Sequence, residues 1–237
     1  MIRLDKYLTM TTKLSRSEAK KMLSSGRVIV NGETIKKGDV KIAEDAEVFC
    51  DGEKCCYKDK LYFMLNKPNG YVSATRDNVH KTVLDLFPEE YAKRIVPVGR
   101  LDIDTEGLLL LTDDGDFNHK LTSPNHDIAK VYYTETKGVF TEEHIRIFEA
   151  GIEFEDFTAK PSKLEILDTD INANTSKARI TVREGKFHQV KRMVKHVGGE
   201  VCYLKREKIG MLGLDKALKP GEFRELTEEE IKMCMMQ

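Results

Sequence analysis

"VGRLDIDTEGLLLLTDDGD", Val98 to Asp116, sets five aspartates and one glutamate around a single short apolar run. Leu108–Leu111 is continuous rather than alternating, so both faces of the segment must meet apolar neighbours. Its length fits a buried strand. The acids at its two ends then have three readings: a metal cage, a catalytic carboxylate with its neighbours, or the polar turns of a buried strand.

A calcium loop fits poorly. Asp102, Asp104, Glu106 and Gly107 fall at positions 1, 3, 5 and 6 of an EF-hand pattern, and Asp113 at position 12. Leu108–Leu111 covers the stretch that should carry a polar ninth residue, and no capped amphipathic helix flanks the loop. A phosphatase-type D-x-D at Asp102–Asp104 needs a strand directly before it and a threonine four residues after the first aspartate. Gly99-Arg100 interrupts the approach, and Thr105 stands three residues after. "TDDGD" reads as a turn, because aspartate bonds its own backbone and Gly115 accepts a positive φ. Asp116 is expected to cap the next helix, "FNHKL", and Asp104 and Glu106 to shape the loop. Asp102 differs, since it precedes the strand and neighbours Arg100. Such an acid is held charged and aimed. Position alone leaves both a catalytic acid and a salt-bridged surface acid open.

The chain has 237 residues, 40% of them hydrophobic and 33% charged, with a formal net charge of −1. That balance predicts a folded globular protein rather than a disordered one. Apolar runs are too short for a membrane helix or a secretory signal. Five cysteines with no C-x-x-C pair argue against structural zinc and a disulfide framework. Free thiols in the cytoplasm are expected.

Two unequal parts follow. In residues 1–55, Leu4, Tyr7 and Leu8 have helical spacing, and Ser15 with Glu18 forms a capping box for a second helix that stops near Gly26. Asn31-Gly32 between β-branched residues signals a hairpin. Residues 1–41 hold ten Lys/Arg against four Asp/Glu. Arg3, Lys6, Arg16, Lys20, Lys21 and Arg27 are therefore candidate phosphate contacts. Residues 51–60, "DGEKCCYKDK", read as a linker. The part from 61 to 237 mixes strands ("LYFMLNK", "GLLLLT", "KVYYTETK", "ARITV") with helices ("TVLDLF", "TEEHIRIFEA", "FHQVKRMVKHV"). In the last helix Phe187, Val190, Val194 and Val197 make the apolar stripe. Arg192 and Lys195 are candidates for a second RNA-facing patch, because residues 177–208 carry ten Lys/Arg against three acids. The fold class is α+β: a small helix–helix–sheet domain, then a mixed, mainly antiparallel sheet domain.

"RLDKYL…LSRSEAKKMLSSGRVIVNGETIKKGDVKI" resembles the S-four RNA-binding domain. "GRLDIDTEGLLLLTDDGDFNHKLTSPNHDIAKVYYTET" resembles the signature of pseudouridine synthases, nearest their small-subunit rRNA branch, the RsuA type. "LNKPNGYVSA" and "EGKFHQVKRM…LKREKIG" resemble two further blocks of that family, in family order. The resemblance implies a catalytic aspartate at Asp102, an active-site tyrosine at Tyr132, a cation pairing with the aspartate at Lys191, and base contacts from Leu204 and Arg100. It implies isomerisation of an rRNA uridine, with uridine 516 of 16S rRNA in a partly assembled small subunit as the expected target. A 23S uridine and an inactive ribosome-assembly protein are the alternatives. The reaction exchanges a bond within one nucleotide, so no metal and no cofactor are expected, and a monomer suffices.

Overall fold

The computed structural model describes residues 1–12, 14–43, 45–55, 60–123 and 126–236. Two compact units emerge, Met1–Lys60 and Leu61–Gln237.

In the first unit, helices Leu4–Thr11 and Arg16–Ser24 bury Leu4, Tyr7, Leu8, Ala19 and Leu23 with Val28, Val30 and Val48. The Ser15 hydroxyl accepts from the Glu18 N–H at 3.3 Å, and Glu18 accepts from the Ser15 N–H at 2.8 Å, completing the capping box. Asn31 (φ 48°) and Gly32 (φ 86°) turn strand Val28–Val30 into Glu33–Thr34. Strand Val48–Cys50 pairs with Val28–Val30 on one side and with Glu53–Cys55 on the other. That last strand lies where the sequence suggests linker. Asp51 (φ 53°) and Gly52 (φ 82°) form a second hairpin turn of the same chemistry, and the polar residues after it pair rather than wander. The Tyr7 hydroxyl donates to the Cys55 carbonyl at 2.8 Å and anchors the strand to the first helix. Residues 56–59 of the expected linker, Cys56 among them, lie outside the described residues.

The second unit is built on a nine-stranded sheet. Its main order is Lys163–Asp170, Thr175–Val182, Lys130–Lys137, Glu200–Ile209, Glu106–Thr112, Tyr62–Lys67, Phe223–Glu225. Within this sheet the pairing is antiparallel except between Glu200–Ile209 and Glu106–Thr112, where Lys205 faces Glu106 and Arg206 faces Gly107. The apolar run of the central strand is buried on both faces, as its continuity requires. Leu109 and Leu111 pack with Phe63, Leu65 and Ile180, and Leu108 and Leu110 with Met64, Phe117 and Leu121. Each such leucine contributes about 1.5–3 kcal/mol.

Four local expectations are corrected. "TVLDLF" forms only a short 3-10 turn, Val83–Leu86, because Pro88 follows at once. Asp114, not Asp116, caps helix Gly115–Thr122, accepting from the N–H groups of Asp116 and Phe117. Asp113 also does more than turn the chain: it accepts from the Leu61 N–H at 2.7 Å and pairs with Arg94 at 2.5 Å. The final predicted helix starts two residues late. Gln189–His196 is helical, His188 sits in the left-handed region (φ 50°), and Phe187 is 67% exposed instead of buried.

Gly107 permits the parallel junction. Its φ is +98°, and a Cβ there would lie 2.4 Å from the Arg206 carbonyl oxygen. Gly107→Ala combines backbone strain with a backbone clash, so a loss of about 3 kcal/mol or more is expected. A melting curve within 2 °C of wild type (about 0.5 kcal/mol on a protein of this size) would refute that reading of the junction.

Candidate active site

The loop between Val98 and Glu106 is held from beneath by one buried cation. Lys67 ends strand Tyr62–Lys67 with no exposed surface. Its ammonium donates to the carbonyls of Pro68 (3.1 Å), Ile103 (3.2 Å) and Thr105 (2.8 Å). An ammonium has three N–H donors, and all three are used. Burial pulls the Lys67 pKa down to about 8, against the opposing pull of Asp104, Glu106 and Asp102. The Thr105 N–H closes the turn on the Asp102 carbonyl at 3.1 Å.

Asp102 stands on this turn, facing helix Gln189–His196. Lys191 Nζ lies 3.3 Å from Asp102 Oδ2 and 2.5 Å from Asp104 Oδ1, so one ammonium bridges both acids. His188 Nε2 lies 3.6 Å from Asp102 Oδ1. For Asp104, burial favours the neutral acid, but the bond and charge of Lys191 prevail and its pKa is lowered. The third acid goes elsewhere: Glu106 accepts from the Tyr203 hydroxyl at 2.8 Å. Asp102, Asp104 and Glu106 therefore do not converge as a calcium loop would require. Arg100, expected to steady Asp102, is exposed and makes no ion pair among the described residues. The loop begins at Gly99 with φ 69°, and it leaves Arg100 in solvent at the cavity edge.

Beside Asp102 opens a cavity of about 700 Å³. Tyr132 and Leu204, both buried, form part of its wall. Tyr132 and Arg206 are cross-strand partners, and an irregularity in the pairing falls just before Tyr132. Arg206 is 3% exposed. Its Nε donates to the Leu108 carbonyl at 2.8 Å and its Nη1 to the Tyr132 hydroxyl at 3.4 Å, while Nη2 has no hydrogen-bond partner in the protein. Lys130, on the same strand as Tyr132, is brought down to about 8 by burial and then by the charge of Arg206. The cavity thus offers a carboxylate, apolar and aromatic wall, and excess positive charge. That combination suits a nucleotide, with its flat base and anionic backbone.

The tertiary fold unites Asp102, Lys191, Tyr132 and Leu204 from four separate stretches. Sequence reasoning missed four contributors. His188 carries no sequence signal that separates it from an ordinary polar residue of the helix. Lys67 lay in the quoted "LNKPNG", but nothing in it announced burial. Arg206 carried a usable signal: it stands two residues after Leu204 on one strand and so shares its face. Lys130 carried the same signal relative to Tyr132.

The candidate phosphate contacts divide by partner. Lys6, Arg16, Lys20, Lys21 and Lys195 are exposed. Arg3 pairs with Asp5 and Arg27 with Asp51. Arg192 pairs with Asp156 and lies 4.6 and 4.7 Å from the ring centres of Phe154 and Phe157. A guanidinium held by a carboxylate and two rings is a weaker candidate for phosphate than the exposed lysines.

Comparison with known proteins gives the family. Residues 61–196 match the family model for RNA pseudouridylate synthase, and residues 2–48 match the S4 domain. An uncharacterized RNA pseudouridine synthase of Bacillus subtilis is 44% identical over 235 residues, 98% of both chains. The ribosomal small subunit pseudouridine synthase A of Escherichia coli is 40% identical over 233 residues, covering 97% of this chain and 98% of that one. A crystal structure of a pseudouridylate synthase superposes with a TM-score of 0.69 at 38% identity, covering 99% and 100% of the two chains. The chain belongs to the RNA pseudouridine synthase family, whose members are isomerases, and it carries an S4 domain before the catalytic one. Among the described residues no helix is long and apolar enough to cross a membrane.

The Lys67 arrangement has a pH consequence. Below about pH 8 the ammonium supplies three donors to the loop. Above it, the neutral amine supplies two and turns a lone pair toward a carbonyl. The activity kcat/KM should therefore fall as pH rises through about 8. Lys67→Met should be poorly active at every pH and lack this limb. Lys130 titrates in the same range, so Lys130→Gln is the control and should retain the limb. A wild-type profile flat to pH 10 would contradict the assignment.

Proposed function

We propose that this protein converts one uridine of 16S rRNA, uridine 516, to pseudouridine within a partly assembled small ribosomal subunit. It acts in the cytoplasm, as a monomer, without metal or cofactor. One observation carries the reading: the Asp102 carboxylate, bridged to Lys191 at 3.3 Å, opens onto a cavity walled by Tyr132 and Leu204. The choice of 16S rRNA is supported by the 40% identity to an enzyme named for the small subunit, over nearly the whole chain.

The chemistry assigns a role to each side chain. The N1–C1′ bond of the nucleoside breaks, the base turns, and a C5–C1′ bond forms. The C5 proton leaves and N1 gains one, so atoms and charge balance. Asp102 is the carboxylate that engages the nucleoside. Lys191 orients it and places a positive charge beside it, an electrostatic arrangement present before the substrate arrives. The Tyr132 ring holds the base, and its hydroxyl, bonded by Arg206, stands where a proton can be relayed. Leu204 excludes water from the other side of the base. The S4 domain supplies phosphate contacts through Lys6, Arg16, Lys20 and Lys21, with Lys195 adding to them from the catalytic unit.

Asp102→Asn keeps shape and removes charge. It should lower pseudouridine formation by about 10⁴-fold or more while RNA affinity stays within threefold. The check is primer-extension mapping of pseudouridine in 16S and 23S rRNA from a deletion strain complemented with wild type or variant. Loss of a 16S site in the deletion strain, restored only by wild type, is the expected result. A missing 23S site instead would move the substrate to the large subunit. Asp102→Asn restoring any site would overturn the catalytic assignment.

A further inference from the structure

Phe187 stands out because its surroundings contradict its chemistry. It is a large aromatic side chain, 67% exposed, on the rim of the catalytic cavity. Its ring lies parallel to that of His188, with centroids 3.8 Å apart and planes inclined by 18°. One face is covered by a neighbouring ring, and most of the ring remains open to solvent.

The backbone that presents this pair is braced. His188 holds a left-handed conformation, φ 50° and ψ 30°, which disfavours a residue with a Cβ. The bracing comes from two buried polar groups. Gln189 Nε2 donates to Glu184 Oε1 at 2.8 Å, and Gln189 Oε1 accepts from the Lys186 N–H at 3.1 Å. Glu184 also accepts from the Lys160 N–H at 2.9 Å. The segment Glu184–Gln189 is therefore a closed turn with its polar groups satisfied at the base and an aromatic ring at its tip. His188 links that tip to the chemistry, since its Nε2 reaches to within 3.6 Å of Asp102.

We infer that the Phe187–His188 pair is a stacking platform for an RNA base beside the target uridine. The inference rests on the reading of the cavity as a nucleotide site. For a uridine to enter a cavity of this kind it must leave its stack, and the flanking base then has an apolar face exposed to water. An open aromatic ring at the cavity mouth covers that face. The parallel histidine beneath fixes the ring's tilt, so the flanking base is placed relative to Asp102 and not merely adsorbed. Phe187 is thus a positioning residue that selects for an unstacked single strand at the site, and any base can occupy it because every base has a π-face.

A base stacked before and during the reaction contributes equally to both states, so its loss appears in KM and not in kcat. Phe187→Ala should raise KM for the modified rRNA about 5- to 150-fold, with kcat within threefold and an unchanged melting temperature. Phe187→Tyr should restore KM, whereas Phe187→Leu, which keeps apolar bulk without a π-face, should not. The chain contains no tryptophan, so Phe187→Trp introduces a single indole reporter. Its fluorescence should be quenched on saturation with unmodified 16S or 23S rRNA transcript. An unaltered KM in Phe187→Ala, full rescue by Phe187→Leu, or an indole signal unchanged by bound RNA would each overturn the inference. The fluorescence measurement needs no turnover. Failure of wild type to modify 16S rRNA is therefore separable from failure of the platform.

Discussion

The catalytic unit depends on one close approach. Gly107 lies against the backbone of Arg206 at the single parallel pairing of an otherwise antiparallel sheet, at a distance no Cβ would allow. That contact sets the lateral position of two strands far apart in sequence. On one of them, the loop carrying Asp102 comes immediately before the junction. On the other, Arg206 stands at the junction and Leu204 just before it. Strand Lys130–Lys137 pairs along the far edge of Glu200–Ile209 and brings Tyr132 opposite Arg206. The helix bearing Lys191 precedes strand Glu200–Ile209 and packs back on it. Shift the junction by one residue and the faces exchange, placing Leu204 and Arg206 away from the cavity.

Around this junction the protein places charge with a consistent economy. Four cations surround a small volume: Lys67, Lys130, Lys191 and Arg206. Lys67 is spent wholly on backbone carbonyls, so it stiffens the Asp102 loop. Lys191 is shared between two carboxylates. Arg206 is divided between a carbonyl and the Tyr132 hydroxyl. Burial brings two of the four, Lys67 and Lys130, down to about 8, and the nearby charge of Arg206 pushes the same way. The local charge is suited to an anionic substrate while the whole chain stays almost neutral.

Much of the architecture is legible in the sequence. The capping box at Ser15–Glu18, the Asn31-Gly32 turn, the two-sided burial of Leu108–Leu111 and the helix Glu142–Ala150 follow from chemistry within a few residues. The departures share a cause. Asp51-Gly52 is the same kind of turn as Asn31-Gly32, but its following strand is polar and short, so pattern alone suggested a linker. Phe187 has the right spacing for a helix stripe, yet the helix starts after it, because the buried Glu184–Gln189 pair claims the preceding turn. Asp113 was readable as a turn residue, but its partner Arg94 is 19 positions away.

The sequence by itself determined the local elements, the basic character of the first unit and the candidate reacting acid. Those properties depend on residue type and short spacing, which the chain displays directly. Only the tertiary structure decided what surrounds Asp102. Arg100, its neighbour in sequence, is in solvent. Lys191, 89 residues later by number, holds it in its place. Short-range order fixes which groups exist, but an ion pair needs two side chains within 4 Å, and that distance is set by how strands register and helices pack.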